Sequence, residues 1–426
     1  MADDTPLPRS RLGRLARLAR VGARSGAQLL LDREGDGAAR KAAEALGQLR
    51  GMATKVGQMA SYVDGVVPEQ HRGAYEKWMK GLQAAAPRSS AADIRRLVEE
   101  QLGAPIDRLF AEWDDAPAAS ASIGQVHRAR LDDGRAVAVK VQHPGIISAM
   151  DSDLRNAGLV EGTLARMAGM RKFNSKEVLD EIRDRFREEL DYRLEARRQT
   201  QFADLFADDT RVYVPAVIES HSADRVLTTE WAEGERFDAA CAAPEPERAA
   251  WCRTLWRFVY KSNLVGGLFN ADPHPGNYFF RDDGRVTFID FGCIQPLTDE
   301  RRLKATAIHL AAHARDRDAF AQASRVLLNL RGGAYEPRAL AYLEVCFRPL
   351  FESPFRMTRP FVVELVDSMK SLIVDFRKTD EDGYVPLPDG MFFINRLQFG
   401  FYSLIARLDA EVDYVAVEQG FLPESV

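Results

Sequence analysis

Several things are scarce or missing in this sequence. It has no uncharged apolar run of about 18 residues, the length that crosses a bilayer, so no transmembrane helix is expected. Cysteine is rare: Cys241, Cys252, Cys293 and Cys346 are the four in 426 residues. None stands in CxxC spacing, which removes a zinc ribbon and favours free thiols in a reducing compartment. There is no surplus of positive charge. Lys plus Arg is 58 against 63 for Asp plus Glu, a formal charge of −5, so no nucleic-acid partner is expected. The start, Met1-Ala-Asp-Asp, lacks the basic-then-apolar layout of a secretory signal. No segment repeats. The expectation is a cytoplasmic protein.

What is present is globular in proportion, with 46% hydrophobic and 28% charged residues. The length suits two or three domains or one large two-lobed unit. Arg9, Arg11, Arg14, Arg17, Arg20 and Arg24 alternate with Leu12, Leu15 and Leu18 and no acid. A helix there would be basic and weakly amphipathic, able to rest on an anionic membrane surface or on an acidic patch of the same protein. Residues 35–85 read as helical, broken at Pro68, and Ser90 is a plausible N-cap for a helix from Ala91 to Leu102. Residues 1–105 thus form a helical N-terminal extension.

The pattern then changes. In residues 106–231, Gln125–Leu131 and Ala136–Gln142 alternate as strands around the turn Asp132-Asp-Gly-Arg135, a hairpin signal. A charged helical stretch follows over 175–207, and Val212–Glu219 and Arg225–Trp231 read as further strands. Ala232-Glu-Gly-Glu235 breaks the pattern as a connector. In residues 232–426 a helix is expected over Pro246–Gly266. Asn270-Ala-Asp-Pro-His-Pro-Gly-Asn277 is a loop, strands at Tyr278–Phe280 and Val286–Ile289 flank a second Asp-Asp-Gly-Arg turn, and everything after about Asp299 reads as helix.

Three features carry chemistry, and their order matters more than any one of them. A strand bears a lysine in Val137-Ala-Val-Lys140; a loop offers Asp272 and then Asn277; Asp290-Phe-Gly292 follows a hairpin. This is the order of parts in protein kinases. A triphosphate needs a cation on its α- and β-phosphates, which Lys140 can supply. Mg²⁺ needs hard oxygen ligands, which Asn277 and Asp290 can supply. The nucleophile needs an acceptor near the γ-phosphate, which Asp272 can supply. The loop before the lysine strand is poor in glycine. In Pro117-Ala-Ala-Ser-Ala-Ser-Ile-Gly-Gln-Val126 only Gly124 can take positive φ at low cost, which argues against an ordinary protein kinase.

These residues resemble the UbiB, ABC1 or ADCK family of atypical kinases. Lys55-Val-Gly57-Gln58 is similar to its KxGQ signature. Ala119-Ser120-Ala121-Ser122-Ile-Gly124-Gln125 is similar to its alanine-rich loop, with Ser120 in place of an alanine. Glu189-Leu-Asp191 is similar to its ExD motif, and Glu195 stands where the family places the glutamate that pairs with the strand lysine. Asn270–Asn277 resembles its catalytic loop, with Asn270 in place of a frequent histidine that braces the loop. The resemblance covers roughly residues 45–300.

The resemblance implies an α+β, two-lobed protein-kinase-like fold, with the helical extension carrying KxGQ. It implies ATP or ADP with Mg²⁺ as cofactors. Lys140, Asp272 and Glu195 would be catalytic and Asn277 and Asp290 metal ligands. Ala119, Ser120, Ala121, Ser122, Gly124 and Gln125 would lie along the nucleotide. Lys55, Gly57 and Gln58 would regulate the site together with Glu189 and Asp191, Lys55 and Gln58 reaching toward those two acids from a helix that occupies the place where a peptide substrate would otherwise bind. The implied activity is an ATPase supporting ubiquinone or related prenyl-lipid synthesis at a membrane surface, peripheral to a bacterial inner membrane. The implied partners are a prenyl-lipid or quinone precursor and quinone-biosynthesis enzymes. No hydrophobic tail follows residue 408, a further likeness to the soluble members. Rival readings are a phosphotransferase for a small alcohol, a nucleotide-binding scaffold without turnover, and a true protein kinase.

Two late features read as structural. His309-Leu-Ala-Ala-His313 has metal-ligand spacing, but no Glu follows the first His. Ile394, Leu397, Phe401, Leu404 and Leu408 have the helical spacing of a core face.

Overall fold

The computed structural model describes residues 89–120, 123–148, 187–270, 272–333, 335–378 and 391–422. The arginine-rich stretch at 9–24, Lys55, Gly57, Gln58, Ala121 and Ser122 lie outside them. The described chain clusters into two units. One runs to Tyr192 and takes in Glu219–Thr228; the other holds Arg193–Ile218 and the chain from Thr229 onward.

The first unit opens with α1 (Ala91–Leu102). Ser90 caps it, its hydroxyl accepting the Asp93 N–H at 3.1 Å. Gly103 stops it at φ 75°, returning its N–H to the Glu99 carbonyl. Ile94, Leu97 and Val98 form its buried stripe. A short α2 (Ile106–Leu109) leads to β1 (Glu112–Trp113), β2 (Ala119–Ser120), β3 (Gly124–Arg130) and β4 (Ala136–Gln142). β3 and β4 form the expected hairpin, in register from Gly124 opposite Gln142 to Arg130 opposite Ala136. Gly134 supplies the positive φ of its turn, at 85°. Val137, Val139 and Val141 are fully buried on one face of β4, so Lys140 belongs to the other.

The second unit begins along α3, which runs Tyr192–Leu205. The strand expected over Val212–Glu219 is only β5 (Val212–Tyr213), followed by a 3₁₀ turn at Glu219–His221. Pro215 gives the physical reason: it has no N–H for a ladder, and its carbonyl accepts from Gln199 Nε2 at 2.6 Å. β6 covers Val226–Glu230 and completes the sheet order β1-β3-β4-β6, with β2 also on β3.

After α4 (Phe237–Ala242), the long α5 (Glu245–Leu264) forms the spine of the second unit, burying Trp251, Leu255, Trp256 and Phe258. Then come β7 (Leu268–Asn270), β8 (Tyr278–Phe280), β9 (Val286–Phe288) and β10 (Ile294–Pro296). β8 and β9 are the second expected hairpin, and β5 joins it parallel to β9. Helices α6 (Asp299–His313), α7 (Arg317–Leu328), α8 (Tyr335–Phe351), α9 (Arg359–Lys378), α10 (Met391–Leu408) and α11 (Tyr414–Gln419) follow. The all-helical expectation for this region misses one small pairing, β11 (Phe355–Arg356) with β12 (Glu411–Val412). Phe401, Leu404 and Leu408 are buried, as a core face requires. All four cysteines are free thiols. Among the described residues no helix is long and apolar enough to cross a membrane.

Candidate functional site

In the second unit the loop between β7 and β8 is built by its own polar side chains. Asn270 Oδ1 accepts the Asp272 N–H at 3.1 Å, and its Nδ2 donates to the Asp290 carbonyl at 3.4 Å. Asn270 therefore braces the loop, the task expected of the residue at its head. His274 Nδ1 accepts the Gly276 N–H at 2.9 Å and caps the 3₁₀ turn Pro275–Asn277. Asn277 Nδ2 donates to the Asp272 carbonyl at 3.2 Å and faces its carboxylate at 3.5 Å. With Nδ2 engaged, the Asn277 amide offers Oδ1, a hard oxygen, as its remaining donor atom. Burial, reinforced by the charge of Asp272, pushes the Tyr278 phenol well above its usual range.

The β8–β9 hairpin carries this loop to the Asp-Phe-Gly segment. Tyr278 pairs with Phe288, and one step further out the Ile289 N–H donates to the Asn277 carbonyl at 3.0 Å. Asn277 and Asp290, far apart in sequence, thus emerge at the same end of one hairpin. Asp290 holds φ 67°, a left-handed conformation that an aspartate tolerates but does not prefer. Its Oδ1 accepts the Gly292 N–H at 3.2 Å. Such strain in a polar residue is held in place by the frame around it. The oxygen donors of Asn277 and Asp290 are of the kind that suits a hard divalent cation, with the Asp272 carboxylate beside Asn277.

Helix α3 anchors the segment. Phe291 is fully buried with its ring 4.9 Å from that of Phe202. Arg198, also buried, donates from Nη1 to the Gly292 carbonyl at 3.2 Å. Glu195, one turn earlier on the helix, is 2% exposed.

The first unit holds the other predicted residues. Lys140 Nζ lies 5.1 Å from the ring centroid of Tyr192, which is itself fully buried. Gly124 sits beneath the same tyrosine. A Cβ there would meet the Val141 carbonyl oxygen at 2.5 Å and Tyr192 Oη at 2.8 Å. Close approach, and not a positive φ, is what requires glycine at this position. Ala119 and Ser120 form β2, paired with Val126 and Gln125. Gln125 is buried and braces the framework. Its Oε1 accepts the Ser89 N–H at 2.9 Å, and its Nε2 lies 2.8 Å from His127 Nε2. Since His127 Nδ1 faces the Asp114 carbonyl at 2.9 Å, His127 donates there and accepts from Gln125. Glu189 is buried and Asp191 exposed. The Leu190 carbonyl between them accepts from Gln142 Nε2 at the end of β4, at 2.7 Å.

Sequence reasoning missed Arg198 and Tyr192. Both had a signal: Tyr192 directly follows the Glu189–Asp191 motif, and Arg198 lies one helical turn past Glu195.

Comparison with known proteins gives the family and the fold. A family model described as an ABC1 atypical kinase-like domain matches residues 81–324. The mitochondrial atypical kinase coq-8 of Caenorhabditis elegans is 30% identical over 381 residues, covering 86% of this chain and 48% of that one. The AarF domain-containing protein kinase 1 of Mus musculus is 33% identical over 262 residues, covering 60% of this chain and 49% of its own. The chain spans less than half the length of these curated relatives. Among solved structures, the complex of Rv3197 with erythromycin from Mycobacterium tuberculosis superposes with a TM-score of 0.62 at 27% identity, covering 96% of this chain and 98% of that one.

Proposed function

The chain belongs to the ABC1 atypical kinase-like family, has its α+β kinase-like fold, and from that premise we propose that it binds ATP with Mg²⁺ and hydrolyses it slowly in support of prenyl-lipid, and specifically quinone, synthesis at a membrane surface. Asn277 Oδ1 and the Asp290 carboxylate hold the cation. When bound, Mg²⁺ neutralises charge on the phosphate oxygens. Lys140 draws in the α- and β-phosphates, and Glu195 orients Lys140. Asp272 accepts a proton from the attacking hydroxyl or water as the new P–O bond forms and the bond to ADP breaks. Ala119, Ser120, Ala121, Ser122 and Gly124 follow the nucleotide, and Gln125 supports that loop from within. Lys55, Gly57, Gln58, Glu189 and Asp191 regulate access. The basic stretch at 9–24 contacts anionic lipid, and quinone-biosynthesis enzymes supply or take the lipid intermediate.

The observation that carries this reading is the frame around Asp272, Asn277 and Asp290. Three oxygen-bearing side chains emerge at one hairpin end, with Asp290 fixed in a left-handed conformation. A plain structural loop has no need to hold an acid at that cost. The test is Mg²⁺-dependent ATP hydrolysis by the purified protein, with and without anionic liposomes, beside Asp290→Asn. Turnover that rises with liposomes and is lost in the variant is the expected result. Bound nucleotide without turnover would favour a scaffold; phosphate transfer to a small alcohol or to a protein would favour a phosphotransferase or protein kinase.

A second reading draws on Rv3197, the neighbour solved with erythromycin. A large, mostly apolar ligand could be the acceptor or effector here as well. A change in ATP turnover on adding a macrolide would support it, and an unchanged rate would remove it.

A further inference from the structure

His309-Leu-Ala-Ala-His313 has metal-ligand spacing, but no Glu follows the first His to complete a zinc motif, and the pair by itself lacks a third ligand. The structure supplies one. His309 and His313, four residues apart on α6, face the same side of that helix. Glu418 on α11 reaches them from 105 residues further along the chain. His309 Nδ1 and His313 Nε2 each lie 2.7 Å from the same oxygen, Glu418 Oε2. All three ligand atoms fall within 4.8 Å of one another. Among the described residues no other group of three His, Cys, Asp or Glu side chains converges in this way.

We propose that His309 Nδ1, His313 Nε2 and Glu418 Oε2 form a binding site for a divalent transition metal of the zinc class, lying within the second unit and distinct from the phosphate-handling residues. Two imidazole nitrogens and one carboxylate oxygen are a ligand set that zinc accepts, with a fourth position left for water. The surrounding groups are those a metal site needs. Trp256 Nε1 donates to the other carboxylate oxygen, Oε1, at 2.8 Å, leaving Oε2 as the single ligating atom. The His309 ring is wedged between Tyr260 and Phe347, with centroids 5.1 and 5.0 Å away, so its orientation is set. Glu418 is fully buried, and the side chain of His313 is 8% exposed.

In the metal-free arrangement the carboxylate accepts N–H bonds from both rings, since it has no proton of its own to give. Burial alone would raise the Glu418 carboxyl; the two histidines outweigh it and hold it down to about 2. Tetrahedral ligation at about 2.0–2.1 Å would part each imidazole nitrogen from Glu418 Oε2 to roughly 3.3 Å, a small turn of the side chains. Each neutral ring would carry its proton on the outer nitrogen, and any proton held as imidazolium would pass to solvent. The site would tie α11 to α6 and, through Trp256, to α5.

The full chain is purified from zinc-supplemented medium, dialysed, and its zinc measured by mass spectrometry. In parallel the metal-free protein is titrated with Co²⁺ and its visible absorption read. The expected result is one zinc per chain, a Co²⁺ band of the wild type, and a melting temperature lowered by a chelator. The double variant His309→Ala/His313→Ala should lose the band, and Glu418→Gln should bind at least about tenfold more weakly. Folding of each variant is checked by circular dichroism. A wild type that retains no zinc and gives no Co²⁺ band overturns the proposal without any variant. Retention of the same stoichiometry and spectrum by the folded double variant also overturns it, and assigns the metal elsewhere.

Discussion

Arg198 Nη1 donates to the backbone carbonyl of Gly292 at 3.2 Å. This bond joins the helix bearing Glu195 to the segment bearing Asp290, and the Phe202–Phe291 ring contact runs beside it. A shift of the helix would be felt at the candidate metal ligand. Replacing Arg198 by Met keeps the stem and removes the donor, leaving a carbonyl without that partner. Steady-state kinetics of Arg198→Met should show ATP turnover reduced about tenfold or more, with a smaller change in nucleotide affinity. Equal losses in both would assign Arg198 to general stability.

Asp290 separates chemistry from strain. Asn tolerates the left-handed region nearly as well as Asp and keeps an acceptor for the Gly292 N–H. Denaturant unfolding of Asp290→Asn should therefore match the parent within about 0.5 kcal/mol, while Mg²⁺-dependent turnover falls by about 100-fold or more. Asp290→Ala should lose activity and also about 1–2 kcal/mol of stability, because alanine resists φ 67°. An Asn variant with full turnover would remove Asp290 from the metal-binding role.

Gly124 is fixed by contact. The nearest obstacle to a Cβ is the Val141 carbonyl oxygen at 2.5 Å, a backbone atom in the neighbouring strand that cannot swing aside. Gly124→Ala should cost about 1–3 kcal/mol of stability, the range for overpacking. A variant as stable as the parent would show that β3 and β4 can part at this point.

Asp209 gives a pH signature. Its side chain is 4% exposed and pairs with Arg257, and its Oδ1 accepts the Arg211 N–H at 3.1 Å. Burial alone would raise the carboxyl; Arg257 and the backbone donor outweigh it and hold it below its ordinary value. A carboxyl lowered on folding adds stability that is complete above its unfolded pKa of about 3.9 and fades as pH falls through the folded value. At pH 7, Asp209→Asn should be less stable by about 1–3 kcal/mol. The two melting temperatures should converge as pH drops below about 4. A constant gap across pH would mean that packing, not charge, makes the difference.

His127 predicts the opposite end of the scale. Burial, its largest influence, lowers its pKa despite the Asp114 carbonyl bond. The unfolded chain then binds a proton that the folded chain refuses, so stability falls as pH drops through about 6.5. His127→Gln should flatten that slope in thermal scans between neutral and mildly acid pH; an unchanged slope would assign the effect to another group.

Sequence alone was enough where the forces are local. Alternating valines and an Asp-Asp-Gly-Arg turn determine the β3–β4 hairpin, because side-chain period and turn chemistry act over a few residues. Ser90 and Gly103 bound α1 for the same reason. The order Lys140, Asp272, Asn277, Asp290 is a statement of chemistry that the chain carries in one dimension, and it led to the family before any coordinate did. Where contacts are distant, sequence was silent. The strand expected past Tyr213 is cut short at Pro215, which the sequence does show, but the Gln199 bond that takes up the Pro215 carbonyl is not legible there. Gly124 is required by Tyr192 and the facing strand. Glu418 meets His309 and His313 only because α11 packs against α6. Helix and turn signals are written by neighbours in the chain. A third ligand, a buried brace or a close backbone approach depends on which surfaces the folded core brings together, and no local pattern encodes that.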